Sequence, residues 1–150
     1  MISITPDFNL NDLNKHIDGT LNNILDEIAD NMFDAGKLIV DKARAKTRAE
    51  NGFNNITWNL RASIGCVLVY KHQIKGEHIY FPPISEGSEG RSKGIAYAKE
   101  ISLLVDDGDP VLVFVAGMDY ALFVEATDRD VITMSSVAFG PIFKQLINEQ

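Results

Sequence analysis

The sequence is poor in the residues that most often announce a chemistry. Of its 150 residues one is cysteine and three are histidine. An intrachain disulfide and a thiolate metal cluster are therefore excluded, and Cys66 reads as a small buried hydrophobe in a strand. No apolar run approaches the roughly 18 residues that span a membrane. Met1 leads into Ile2-Ser3-Ile4-Thr5 without the basic, apolar, small-residue order of a signal peptide, so a cytoplasm is the expected site of synthesis. Cations are also scarce: 14 Lys and Arg against 21 Asp and Glu give a net charge of -7. That balance excludes a nucleic-acid-binding surface over the whole protein, because phosphate contacts need clustered Lys and Arg. It leaves a local basic patch open.

What the sequence does have is one long amphipathic run, from about Leu13 to Thr47. Leu13, Ile17, Leu21, Ile24, Ile28, Met32, Ala35, Ile39 and Ala43 recur at steps of three or four. This is the helical period, held for about ten turns. Asp26, Asp30, Asp34 and Asp41 lie between the apolar positions and are expected to face water. Such a helix is roughly 50 Å long at about 1.5 Å per residue, more than a domain of this size spans. Either it breaks at Gly19 or Gly36, or part of it projects and packs on another chain. Acidic residues fill most of the run, while Lys37, Lys42, Arg44, Lys46 and Arg48 crowd its end. That order matches the helix dipole; the second reading of the basic end is a contact patch for a partner or DNA.

The 45% hydrophobic fraction and the length suit a single domain, 1–150, with a real core. Ile2 to Thr5 reads as an edge strand ending at Pro6. Asn51-Gly52 stops the long helix. Ile64 to Lys71 is a strand with apolar residues on both faces, expected to be covered by the long helix and by a neighbour. A turn near Gln73 to Gly76 would return Glu77 to Phe81 as its hairpin partner. Gly and Ser crowd Ser85 to Gly94, so 84–94 reads as a flexible loop, followed by a short helix over Ile95 to Leu104. Asp106 to Pro110 is a turn. Val111 to Ala116, a continuous apolar run, is expected at the centre of the sheet. Met118 to Ala126 is extended or a short helical turn, and from about Thr133 a closing helix is interrupted or capped near Gly140-Pro141. The class is α+β: a long N-terminal helix packed on a small antiparallel sheet, with a short C-terminal helix.

No catalytic set assembles. The Gly-x-Ser-x-Gly elbow is missing around Ser63. Lys93-Gly94 lacks the spacing and the following Ser or Thr of a phosphate loop. His72 and His78 flank the hairpin turn, where one reading makes them two metal ligands with Asp128 or Asp130 as a third, but exposed bystanders are the simpler reading. Glu125, Asp128 and Asp130 lack the pattern of a calcium loop and read as surface carboxylates. No cofactor or metal site is therefore expected.

Two stretches carry a resemblance. Ala43-x-x-Lys46-Thr47 is followed, after a gap, by Asn59-Leu60-Arg61-Ala62-Ser63-Ile64 leading into a strand. Asp119-Tyr120-Ala121-Leu122-Phe123-Val124-Glu125-Ala126-Thr127 comes later. With the preceding helix, they resemble the tail-component proteins of long-tailed bacteriophages and prophages, the tail-completion or head–tail joining subunits. The chain departs from that pattern at Trp58-Asn59, where Thr-Gly is usual, and at Ala126-Thr127, where Phe-Gly-Thr is usual. The resemblance implies a non-enzymatic structural protein of the virion. It would self-associate into a ring, hexameric in that family, that meets other tail or connector proteins and passes DNA through its lumen. No membrane is involved. Lys42, Arg44 and Lys46 are then candidate contacts to DNA or an acidic neighbour, and Arg61 and Glu125 a candidate intersubunit pair. Two rival classes are a monomeric binding module of the immunity type and a small metal-dependent hydrolase using His72 and His78.

Overall fold

The structure, a computed structural model, describes residues 9–105 and 108–149. The expected strand at Ile2 to Thr5, and part of the turn at Asp106 to Pro110, lie outside these residues. The first element, α1 (Leu10–Ala45), is a single unbroken helix of 36 residues, about 54 Å long. The Asn9 side chain caps it by accepting the Asn11 N–H at 2.9 Å. Gly36 does not break it. A Cβ there would lie 3.0 Å from Leu112 and 3.1 Å from Cys66, so the missing side chain lets the helix settle against the sheet.

The chain continues through a 3₁₀ turn, Arg48–Glu50, closed by Asn51 in the left-handed region. It then passes through α2 (Asn59–Ala62), β1 (Ile64–Tyr70), β2 (Gln73–Tyr80), α3 (Ser88–Ser102) and β3 (Val111–Ala116). Three short helices follow: α4 (Ala121–Glu125), α5 (Thr133–Ser136) and α6 (Phe139–Asn148). The sheet is antiparallel, with strand order β2-β1-β3. The central strand is thus β1, and β3 lies at an edge. Apolar continuity misassigned that place because β3, for all its hydrophobicity, is only half-buried along most of its length.

β1 is buried at every position. Ile64, Cys66, Leu68 and Tyr70 pack with Phe33, Val40 and Ala43 of α1. On the opposite face Val67 joins Phe81, Val115 and Ala98, the last from α3. The second cover is therefore this chain's own α3 rather than a neighbour. Burial of each aliphatic side chain here contributes about 1.5–3 kcal/mol. α6 docks on α1, and its Phe139 meets Phe114 edge-on at 6.4 Å while stacking on Phe143 at 5.4 Å.

Two local readings of the sequence are corrected. The hairpin turn is Lys71-His72, because Tyr70 pairs with Gln73. Both turn residues have positive φ, 54° and 60°, the geometry of a type I′ turn without its customary Asn or Gly. Gln73 to Gly76 is strand, and residues 75–78 bulge opposite Leu68. The supposed loop is mostly helix: α3 begins at Ser88. Gly90 is not a flexible link but a close-packing point. A Cβ there would come within 2.0 Å of the Asn59 carbonyl oxygen, and the Gly90 N–H donates to Asn59 Oδ1 at 3.1 Å.

Candidate interaction surface

The first half of α1 departs most from the packing of the rest. Every residue from Asn9 to Ile24 is exposed. The three-and-four spacing that buries Ala35 and Ile39 runs upstream without a change of phase through Ile24, Leu21, Ile17, Leu13 and Leu10. Each of those side chains is 43–69% exposed. The Leu10–Ile24 stripe thus extends the core-facing pattern past the end of the core. A second apolar patch lies across α4 and α5, where Leu122, Phe123 and Met134 are exposed, with Val137 just beyond. Leu122 and Met134 also line a cleft of about 330 Å³ beside Arg129.

At the other end of α1 the three predicted basic contacts separate. Lys42 is exposed. Lys46 forms an ion pair with Asp130, and Arg44 is 6% exposed. Two of the three predicted contacts are therefore turned inward, while Lys42 and Arg48 stay exposed. Asp130, read as a surface carboxylate, is buried as well. It accepts from Ser135 Oγ at 2.7 Å and from the Met134 N–H at 2.9 Å. Burial pushes its carboxyl up, but the Lys46 and Ser135 donors outweigh that, and it titrates below its ordinary value.

Arg61 and Glu125 are each engaged within the chain. The Arg61 Nε donates to Asn55 Oδ1 at 3.0 Å and Nη2 to the Lys46 carbonyl at 3.1 Å. Its guanidinium also lies over the Phe53 and Trp58 rings. Burial lowers its pKa. Glu125 accepts the Ile132 and Thr133 N–H groups at 3.2 and 2.8 Å, satisfying donors at the start of α5. The Ser63 hydroxyl donates to the Leu60 carbonyl at 2.7 Å where α2 passes into β1.

No group of three or more metal-capable side chains occurs among the described residues. His78 points at α1, its Nε2 3.1 Å from Asp30 Oδ1 and its ring edge-on to Phe33. His72 belongs to the exposed turn. The Cys66 thiol is buried, and desolvation pushes its pKa up to about 12. Among the described residues no helix is long and apolar enough to cross a membrane.

Compared with known proteins, the chain matches no family model, no curated protein and no solved structure.

Sequence reasoning missed one further feature, a cleft of about 320 Å³ between the 53–58 segment and α4. Phe53, Trp58, Leu60, Tyr120 and Val124 line it, with the Asn54 and Asn55 amides at hand. Trp58 adopts φ 61°, an uncommon conformation for so bulky a residue. The alternation of amides with Phe53, Ile56 and Trp58 was the available signal, and the amide content hid it behind a loop reading.

Proposed function

We propose that the protein is a non-enzymatic structural subunit of a phage or prophage virion, working as a homo-oligomer at the tail or the head–tail junction. The observation that carries the self-association is the uncovered stripe Leu10–Ile24 on a helix that outruns its own sheet. An apolar stripe left in water is costly, and surfaces of this kind mark protein–protein contacts. The virion assignment rests on the resemblance of the Leu60–Ile64 and Tyr120–Glu125 segments to the tail-component family. In this reading function is geometric: each subunit completes one interface and offers a docking surface to the next protein. Assembly as a ring around passing DNA, with tail or connector proteins as neighbours, belongs to the same proposal.

The test is the mass of the purified protein by light scattering over a wide concentration range, with negative-stain images of the same sample. Concentration-dependent oligomers or rings are expected. Replacing Ile17 and Leu21 by Glu is expected to give a monomer with unchanged circular dichroism. A wild-type chain that stays monomeric, alone and when mixed with tail proteins from the same host, would replace this reading with that of a monomeric binding module.

A further inference from the structure

The stripe on α1 and the surface around α4 are both apolar, both uncovered, and opposite in shape. The stripe is a ridge, with Leu10, Leu13, Ile17, Leu21 and Ile24 standing out from the projecting half of α1. The surface around α4 is furrowed. Tyr120 and Val124, four residues apart and so on one side of α4, line the cleft that also holds Ile56 and Trp58. Leu122 and Glu125, on its other side, line the cleft that holds Met134. α4 is thus a rib between clefts of about 320 and 330 Å³, and Phe123 on it is 73% exposed.

The spacing of the stripe suits this rib better than it suits a second stripe. From Leu10 the steps run three, four, four, and the same order repeats through Ile24, Ile28, Met32, Ala35, Ile39 and Ala43. That is an 11-residue repeat, not the 7-residue alternation along which two helices wind as a left-handed coiled coil. Ile17 and Ile24 are about 10.5 Å apart along the axis, and a helix is about 10 Å across. A helix laid over α4 therefore drops Ile17 into one cleft and Ile24 into the other, with Leu21 above Phe123. Polarity agrees as well. Asn14 and Thr20 flank the stripe, while Asp12 and Lys15 fall on the far side of α1, and the Asn54 and Asn55 amides line the first cleft. In the second cleft Glu125 and Asp130 already have partners within the chain. Asp128 and Arg129, of opposite sign, also line it. A contact whose centre is free of charge has the composition of a buried interface.

We infer that α1 of one copy docks across α4 of the next, head to tail. The inference rests on the self-association proposed above and names the surface it uses. α1 is one unbroken helix and cannot bring its first turns back onto its own α4. A second copy is the occupant because the chain itself supplies both halves of the contact and covers neither. Each subunit then gives its stripe to one neighbour and its α4 to the other. Such a heterologous contact repeats into a ring or a filament, whereas a pairing of like surfaces stops at two.

The experiment uses cysteine cross-linking, since the native Cys66 is buried and does not compete. Leu21→Cys and Phe123→Cys, both at exposed positions, are mixed under oxidising conditions at a concentration where the wild type assembles. The mixed disulfide is expected to exceed either homodimer at least tenfold by mass spectrometry. In parallel, one variant carries Ile17→Glu with Leu21→Glu, and another Leu122→Glu with Phe123→Glu. Each is expected to be monomeric by light scattering, and their mixture to form a dimer with one chain of each, because one stripe and one α4 surface remain intact. A Leu21→Cys homodimer that forms as readily as the mixed product overturns the inference by placing stripe on stripe. Undiminished assembly of the Leu122→Glu, Phe123→Glu variant overturns it too. Either result leaves self-association standing, whereas a wild type that stays monomeric, alone and with tail proteins, removes both.

Discussion

Lys46 and Asp130, separated by 84 positions, form the ion pair that ties the end of α1 to the segment before α5. The two partners are buried unequally. The Asp130 side chain is fully buried, whereas the Lys46 side chain keeps 20% exposure. Lys46→Met leaves a carboxylate stranded in the interior and is expected to cost about 3 kcal/mol. Asp130→Asn leaves an ammonium that can turn to water and is expected to cost about 1–2 kcal/mol. The double variant is expected to lose less than the sum of the two. Chemical denaturation of the three variants checks the order; a reversed order would mean the Asp130 charge is met elsewhere.

The same pair sets a pH dependence. Asp130 titrates below its ordinary value of 3.8 when folded, so the unfolded chain takes up this proton first as pH falls. Its contribution is complete above the ordinary carboxylate range and is lost as pH drops below about 4. In Asp130→Asn the stability loss between pH 5 and pH 3 is expected to be shallower than in the wild type, measured by urea midpoints. Equal slopes would contradict the assignment.

Two glycines make a matched test of the helix packing. Gly90→Ala drives a methyl into the Asn59 backbone and is expected to destabilise by about 2–3 kcal/mol, because backbone cannot yield as a side chain does. Gly19→Ala meets nothing within 4 Å on the exposed half of α1. It is expected to raise helicity and stability by up to about 1 kcal/mol. Thermal melts followed by circular dichroism separate the two signs.

Cys66 reports on the integrity of the core. With its pKa pushed up to about 12, about one thiol in ten thousand is ionised at pH 8. Iodoacetamide labelling of the native protein, followed by mass spectrometry, is expected to be about a thousandfold slower than in denaturant. Comparable rates would place the thiol at a surface.

How much of this was legible in the sequence follows from where the signals are local. α1 announced itself because its period is internal to one segment, and the alternation of Ile64 to Tyr70 gave β1 for the same reason. α3 was obscured because Gly90 and Gly94 are there for the sake of Asn59 and Ser63, residues about 30 positions away that no window over 85–94 contains. The Lys71-His72 turn carries none of the usual turn residues, and its left-handed backbone is imposed by the strands on either side. Arg44 and Asp130 misled for a third reason. A charge is assigned to the surface by default, and its burial depends on partners brought in by the topology. The candidate contacts at Lys46, Arg61 and Glu125 make bonds within the chain, to partners that sequence order does not place beside them.

The unequal support along α1 gives one helix two stabilities. Downstream of about Leu25 it is held by tertiary packing, and its amide protons should exchange only with global unfolding. Upstream it relies on the Asn9 cap and on propensity, and a helical stretch of about 15 residues is marginal in water by those means. Those first turns will therefore melt and reform while the core stays closed. Whatever seats on them must first freeze them, and part of its contact energy goes into ordering. A single contact of this kind forms weakly and lets go quickly. In the proposed assembly, permanence would come only when several such contacts close on one another, which would allow a misplaced subunit to leave before the structure around it is finished.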